Sequence, residues 1–231
     1  MIADRLAGIR ERIDAAARSA GRDPSSVRLV AVSKTFPIDL VREAFAAGQR
    51  DFGENRVQEA LDKVDAAADL PIDWHLLGHL QSNKARRAAT AFATIHSVDS
   101  VDLLRKLDDA AAEAGRRPQL FIQVDLAGEA TKFGAAPDRV SRILEAAASC
   151  RAARVTGLMT LPPYPEAAED SRPYFRRLRE LRDRLVAEGV PAPMLAELSM
   201  GMSGDFDVAI QEGATLVRVG TAIFGRRPPN P

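Results

Sequence analysis

The chain has 231 residues, 46% of them hydrophobic, and 32 lysines and arginines balance 32 aspartates and glutamates. That length suits one barrel-sized domain with a full core and excludes wholesale disorder. A formal net charge of zero gives no electrostatic case for a nucleic-acid or anionic-membrane partner, and no apolar run approaches the roughly 18 residues of a membrane span.

The opening residues Met1-Ile2-Ala3-Asp4-Arg5 are charged and amphipathic, without the apolar stretch of a secretory signal. Ile2, Leu6, Ile9, Ile13 and Ala17 recur every three or four residues and predict a first helix, with Gly21 just past its end. Residues 27–32, Val-Arg-Leu-Val-Ala-Val, predict a first strand, short and β-branched as in a sheet covered on both faces. A helix with Leu40, Val41, Ala44 and Phe45 on one face follows, closed by Gly48. Strands are predicted over 51–54, 74–78 and 94–98. Ser100 then caps a helix carrying Leu103, Leu104, Leu107 and Ala111, and Gly115 closes it.

The fifth strand spans 120–125. Pro137 opens the next helix, where its missing N–H costs nothing, and Val140, Ile143, Leu144 and Ala147 face inward. Cys150, the only cysteine, follows this helix; no internal disulfide can form, and the residue reads as a packed thiol. A sixth strand over 155–159 precedes a proline-rich loop, 161–165. A charged helix with Phe175, Leu178, Leu181 and Leu185 inside then ends at Gly189. Strands seven and eight fall at 197–200 and 216–219. Eight such units in this length fit a closed barrel better than a doubly wound open sheet. The predicted fold is one (β/α)8 TIM-type barrel spanning 1–231, with an additional N-terminal helix and a frayed tail over 226–231. A cytoplasmic, monomeric protein is expected.

Barrels of this kind carry their chemistry at the C-terminal ends of the strands. The first strand ends in Ser33-Lys34-Thr35. Desolvation favours the neutral amine of a lysine in that place, and a neutral amine can attack an aldehyde to form a Schiff base; the alternative is a lysine whose stem is buried and whose head reaches water. Gly201 and Gly204 let backbone N–H groups approach an anion, Ser203 and Asp205 are candidate caps for a helix carrying Phe206, Ala209 and Ile210, and Gly220-Thr221 follow strand eight. Phosphate sites in barrels often lie after strands seven and eight, although tight turns use the same glycines. Arg218, between Val217 and Val219, points either into the barrel, where it needs an acceptor such as a pyridine nitrogen, or outward to an ion pair. His75 and His79 fall on different elements, which argues against a metal site. His75, like Asn55 after strand two, is positioned to line a pocket.

Residues 30–35 (Val-Ala-Val-Ser-Lys-Thr), 52–55 (Phe-Gly-Glu-Asn), 74–84, 198–203 and 217–225 resemble the pyridoxal phosphate homeostasis protein family, and the resemblance runs from the first helix to about Gly225. It implies a barrel like the N-terminal domain of alanine racemase, with pyridoxal 5′-phosphate held as a Schiff base on Lys34. It implies that Ser199, Ser203, Gly220 and Thr221 lie around the phosphate, some through backbone N–H groups, that Arg218 faces the pyridine nitrogen, and that Asn55, His75 and Met200 lie near the cofactor. Thr131-Lys132-Phe133-Gly134 departs from the family pattern at the bulky Phe133.

A racemase needs acid/base groups on both faces of the substrate Cα. Alanine racemase takes one from a second domain that has no counterpart in this sequence, and Tyr164 and Tyr174 are the only tyrosines. An arginine opposite the ring nitrogen also keeps the ring a weak electron sink. The expectation is therefore a vitamin B6 carrier or buffer without robust catalysis, whose candidate recipients are apo-forms of enzymes that use the same cofactor. A low-activity amino-acid racemase is the alternative.

Overall fold

The computed structural model describes residues 1–128 and 133–225. Eight parallel strands, β1 (Arg28–Val32), β2 (Asp51–Glu54), β3 (Asp73–Leu76), β4 (Thr94–Val98), β5 (Gln119–Gln123), β6 (Arg154–Met159), β7 (Glu197–Met202) and β8 (Leu216–Val219), close into a barrel in sequence order. Helices α1 (Ile2–Ser19), α2 (Ile38–Ala46), α3 (Val57–Ala66), α4 (Ala85–Ala91), α5 (Val101–Glu113), α6 (Val140–Ala147), α7 (Arg172–Ala187), α8 (Phe206–Gln211) and α9 (Thr221–Phe224) surround it. The predicted (β/α)8 class and the extra N-terminal helix both stand. The predicted tail lies outside the described residues, as do Thr131 and Lys132.

Strand alternation divides the core in two. Val30, Val32, Leu77, Phe121, Met159 and Leu216 pack together inside the barrel. Leu29, Ala31, Val217 and Val219 belong to the larger apolar layer between barrel and helices. Each buried leucine or valine there contributes about 1.5–3 kcal/mol relative to exposure. Because Leu216 faces in and Val217 and Val219 face out, Arg218 points into the barrel. That resolves the alternative left open by its sequence position.

The first helix buries Ile2, Leu6, Ile9, Ile13, Ala16 and Ala17. Beyond packing, its arginines fix the two short helices at the end of the chain. Arg5 donates to the Ile223 carbonyl of α9 at 3.2 Å, and Arg22, just past α1, donates to the Ile210 carbonyl of α8 at 2.8 Å. These are carbonyls that a helix end leaves without intrahelical partners. Ser100 caps α5 as the sequence predicts, accepting from the Leu103 N–H at 3.3 Å. Pro137 opens a short 3₁₀ turn, Pro137–Arg139, that runs into α6.

Candidate functional site

Lys34 stands two residues beyond inward-facing Val32, half-buried at the C-terminal end of β1. The backbone around it is unusual. Thr35 sits at φ 67°, a region that a β-branched residue rarely enters and that costs of order 1–3 kcal/mol. A polar cluster behind the strand holds it there. The Thr35 N–H donates to Glu59, and the Lys63 ammonium donates to the Ser33 carbonyl and Glu54 at 2.8 Å each and to Glu59 at 3.2 Å. The Ser33 hydroxyl donates to the same Glu54 oxygen at 2.7 Å. Glu54 is fully buried, and its second oxygen has no hydrogen-bond partner among the described residues. Burial raises its pKa above the ordinary carboxyl range, and the opposing pull of Lys63 and Ser33 only partly offsets that. The sequence reading missed this cluster. Its signal was Lys63 itself, a charged residue at the inward spacing of Val57 and Ala60 on α3.

The other wall comes from β7 and β8. β8 pairs with β1, Val30 opposite Arg218 and Ala31 opposite Val219, so Gly220 and Thr221 adjoin the Ser33–Lys34 turn. A Cβ on Gly220 would lie 3.2 Å from the Val32 carbonyl, a separation tighter than most side chains tolerate. The Gly220 N–H donates to the Ser203 hydroxyl at 3.2 Å, which joins the two loops that follow β7 and β8. A bulge in β7 between Ser199 and Met202 turns the chain into this loop. Gly201 lies in the bulge at φ 91°, where a Cβ would come within 2.6 Å of the Ala209 Cβ. Asp205 stands at the start of α8, but its buried carboxylate does not cap that helix. It accepts instead from the Met202 N–H at 2.6 Å and the Ser171 hydroxyl at 2.7 Å, which fastens the loop from behind. Ser203 does not cap α8 either, since its hydroxyl is turned to Gly220.

Arg218 is 3% exposed and donates to the Ser199 hydroxyl at 2.6 Å and the Thr160 carbonyl at 2.9 Å. Desolvation pushes its pKa down to about 10, with some compensation from Asp205. Ser199 also bonds to Nδ1 of His96 at 2.9 Å, Nε2 of His96 meets Nδ1 of His75 at 2.9 Å, and Nε2 of His75 meets Asp51 at 3.0 Å. Three of the expected site residues have side chains engaged elsewhere. The Ser199 hydroxyl, fully buried, is engaged by Arg218 and His96 and is not presented to a phosphate. Both ring nitrogens of His75 are used inside the barrel, one toward Asp51 at the N-terminal end of β2, so His75 does not line the C-terminal mouth as a free group. Alternation turns the Met200 side chain outward into the layer beneath the helices, where it is fully buried.

Lys34, Ser203, Arg218, Gly220 and Thr221 are thus brought together. Asn55 stands half-buried directly after β2, the other neighbour of β1. His79, in the loop after β3, stacks on Phe133 at 3.6 Å between ring centroids and lies 3.8 Å from Asp99, well apart from the use His75 makes of its ring. Among the described residues no group of three or more His, Cys, Asp or Glu side chains could hold a metal ion, and no helix is long and apolar enough to cross a membrane. A cavity of about 400 Å³, lined by Arg28, Asp51, Asp73 and Arg117 among others, opens at the opposite, N-terminal end of the barrel. The chemistry-bearing residues converge at the C-terminal end instead, and that end offers an amine, backbone N–H groups for an anion and a buried cation for an acceptor atom.

Residues 5–228 match the model of the alanine racemase N-terminal domain. A pyridoxal phosphate homeostasis protein of Pseudomonas aeruginosa is 46% identical, with 98% of this chain and 96% of that protein covered. One from Aquifex aeolicus is 44% identical over 97% of each. The solved structure of PipY from Synechococcus elongatus with PLP bound superposes with a TM-score of 0.86 at 44% identity, covering 97% of this chain and all of that one.

Proposed function

The chain belongs to the pyridoxal phosphate homeostasis protein family, and from that premise we propose that it binds pyridoxal 5′-phosphate at the C-terminal mouth of its barrel, held as a Schiff base on Lys34. It acts in vitamin B6 homeostasis, keeping a reactive aldehyde in reserve in the cytoplasm and giving it up to apo-enzymes, and it works as a monomer. The observation that carries this reading is the convergence of Lys34, inward-facing Arg218 and the joined Ser203–Gly220 loops on adjacent strands.

The residues present fit that group. Gly204 is exposed, with no atom within 4 Å of where its Cβ would be, and Gly220 has its backbone close against β1, so both leave room beside peptide N–H groups. Amides of the Ser203-Gly204 turn and of Thr221 would hold the phosphate, with Gly220, whose own N–H is given to Ser203, leaving room for it and Asn55 at the rim. Arg218 uses two of its five N–H donors on Ser199 and Thr160, and a further one would meet the ring nitrogen. When bound, the cofactor supplies an aldehyde and an electron-accepting ring. A guanidinium at the ring nitrogen keeps that nitrogen unprotonated, which weakens the ring as an acceptor.

Holding without robust turnover is favoured by the tyrosines. Tyr164 is 95% exposed in the loop after β6, and Tyr174 packs against the outer apolar layer. A racemase of low activity is the alternative, and α-deuterium exchange tests both readings. The carrier reading expects exchange into labelled amino acids to match a Lys34→Ala control. Robust exchange that disappears in that control would replace it with the racemase.

A further inference from the structure

Asp51, His75, His96, Ser199 and Arg218 form one hydrogen-bonded line through the barrel, from the start of β2 to the inner face of β8. Branched apolar side chains ordinarily fill such an interior, so five polar groups in series call for a reason. Their donors can be assigned from the ends. Ionised Asp51 only accepts, so His75 donates its Nε2–H. The facing nitrogens of His75 and His96, 2.9 Å apart, share one proton, which belongs to Nε2 of His96 once Nε2 of His75 carries its own. Complete burial, and then the nearness of His75, Arg218 and Arg28, hold His96 well below the usual histidine range, so its Nδ1 accepts. Ser199 donates there and accepts from Arg218, which can only donate. Every link runs the same way, from Arg218 to Asp51.

We propose that His75 and His96 are positioning residues for Arg218: acting through Ser199, and with Thr160 holding the second nitrogen, they fix the guanidinium in one orientation toward the cofactor ring. This rests on the cofactor reading above. Packing alone does not require the nitrogens. His96 lies flat on Phe121, ring centroids 4.6 Å apart and planes within 1°, a place a phenyl ring would also fill. A buried polar series is weak evidence for stability as such, whereas bonds in series polarise one another and fix orientation.

Two measurements on the whole protein test the proposal. Side-chain ¹⁵N NMR of the cofactor-free protein near neutral pH is expected to show both histidines neutral with the proton on Nε2. A proton on Nδ1 of either, or an imidazolium at His96, would overturn the line. Pyridoxal 5′-phosphate is then titrated by its visible absorbance. His96→Phe keeps the stack on Phe121 and removes both nitrogens; it should weaken retention about 10-fold and move the pH dependence of the absorbance. His96→Asn, which keeps an acceptor at the Nδ1 position, should fall between that variant and wild type. Ser199→Ala breaks the same line at smaller volume and carries the test should His96→Phe not fold. Wild-type retention and an unchanged pH profile in a folded variant would overturn the positioning role. The predicted tautomers in a wild-type protein that takes up no cofactor would instead overturn the cofactor reading, and with it this role.

Discussion

Lys63 is the side chain whose loss separates a buried, coupled cluster from a surface ion pair. Its side chain is 10% exposed beside a Glu54 side chain that is 0% exposed, with 2.8 Å between them. Lys63→Met keeps most of the stem and leaves Glu54 without its cation. Removing one partner of a buried pair costs about 3–5 kcal/mol, which in a chain of this length lowers Tm by roughly 6–20 °C. The loss depends on pH with a definite sign. Burial already raises Glu54, and Lys63 is the first-ranked influence drawing it back down, so the variant raises it further. A carboxyl with a raised folded pKa binds its proton more tightly when folded. Its contribution is fully present below the unfolded value of about 4.3 and is lost as pH rises through the folded one. Urea unfolding at about pH 8 and about pH 5 should therefore show a wild-type-to-variant gap that is wider at the higher pH, and adding Glu54→Gln should recover most of it. A loss below about 1 kcal/mol, the range of surface pairs, or one equal at both pH values, would refute the reasoning.

Thr35→Gly should relieve the left-handed strain and raise stability by about 1 kcal/mol in chemical denaturation, since Glu59 still accepts from the same N–H; a loss would mean that the threonine side chain supports the turn. Asp108 accepts from the backbone N–H groups of Arg151, Ala152 and Ala153 at 2.8–3.0 Å. Burial works against its ionised form, but those amides and Arg151 hold its pKa below the ordinary value. Its contribution is present above about pH 4 and disappears as pH falls through the folded pKa, so Asp108→Ala should cost about 2 kcal/mol at neutral pH and progressively less in acid. Burial, with Asp108 and Asp109, pushes the Cys150 thiol up to about 11; iodoacetamide should label it far more slowly in the native protein than after unfolding, and comparable rates would contradict that assignment.

The barrel was legible because most of its strands are short apolar runs separated by helical spacing. Residues 51–54, 94–98 and 216–219 coincide with strands β2, β4 and β8. Helices α3 and α4 were not singled out, although Val57, Ala60, Leu61 and Val64 recur at helical spacing on the first; the second is a seven-residue alanine-rich segment without such a stripe. Lys34 was legible as a charge placed directly after a buried strand. Met200 entered only through the family resemblance; alternation puts its side chain on the opposite side of β7 from that of Ser199. The line from Asp51 to Arg218 joins residues 19 to 103 positions apart, a pairing no local pattern encodes. Its trace in the sequence was a set of polar residues, His75, His96, Ser199 and Arg218, inside otherwise apolar strands.

The central claim, that Lys34 holds the cofactor, is tested most directly by the absorbance of the purified protein incubated with pyridoxal 5′-phosphate, before and after borohydride, with peptide mass mapping. The account predicts a visible band that vanishes on reduction and leaves the pyridoxyl mass on Lys34. No band with excess cofactor, or a label confined to another lysine, would contradict it.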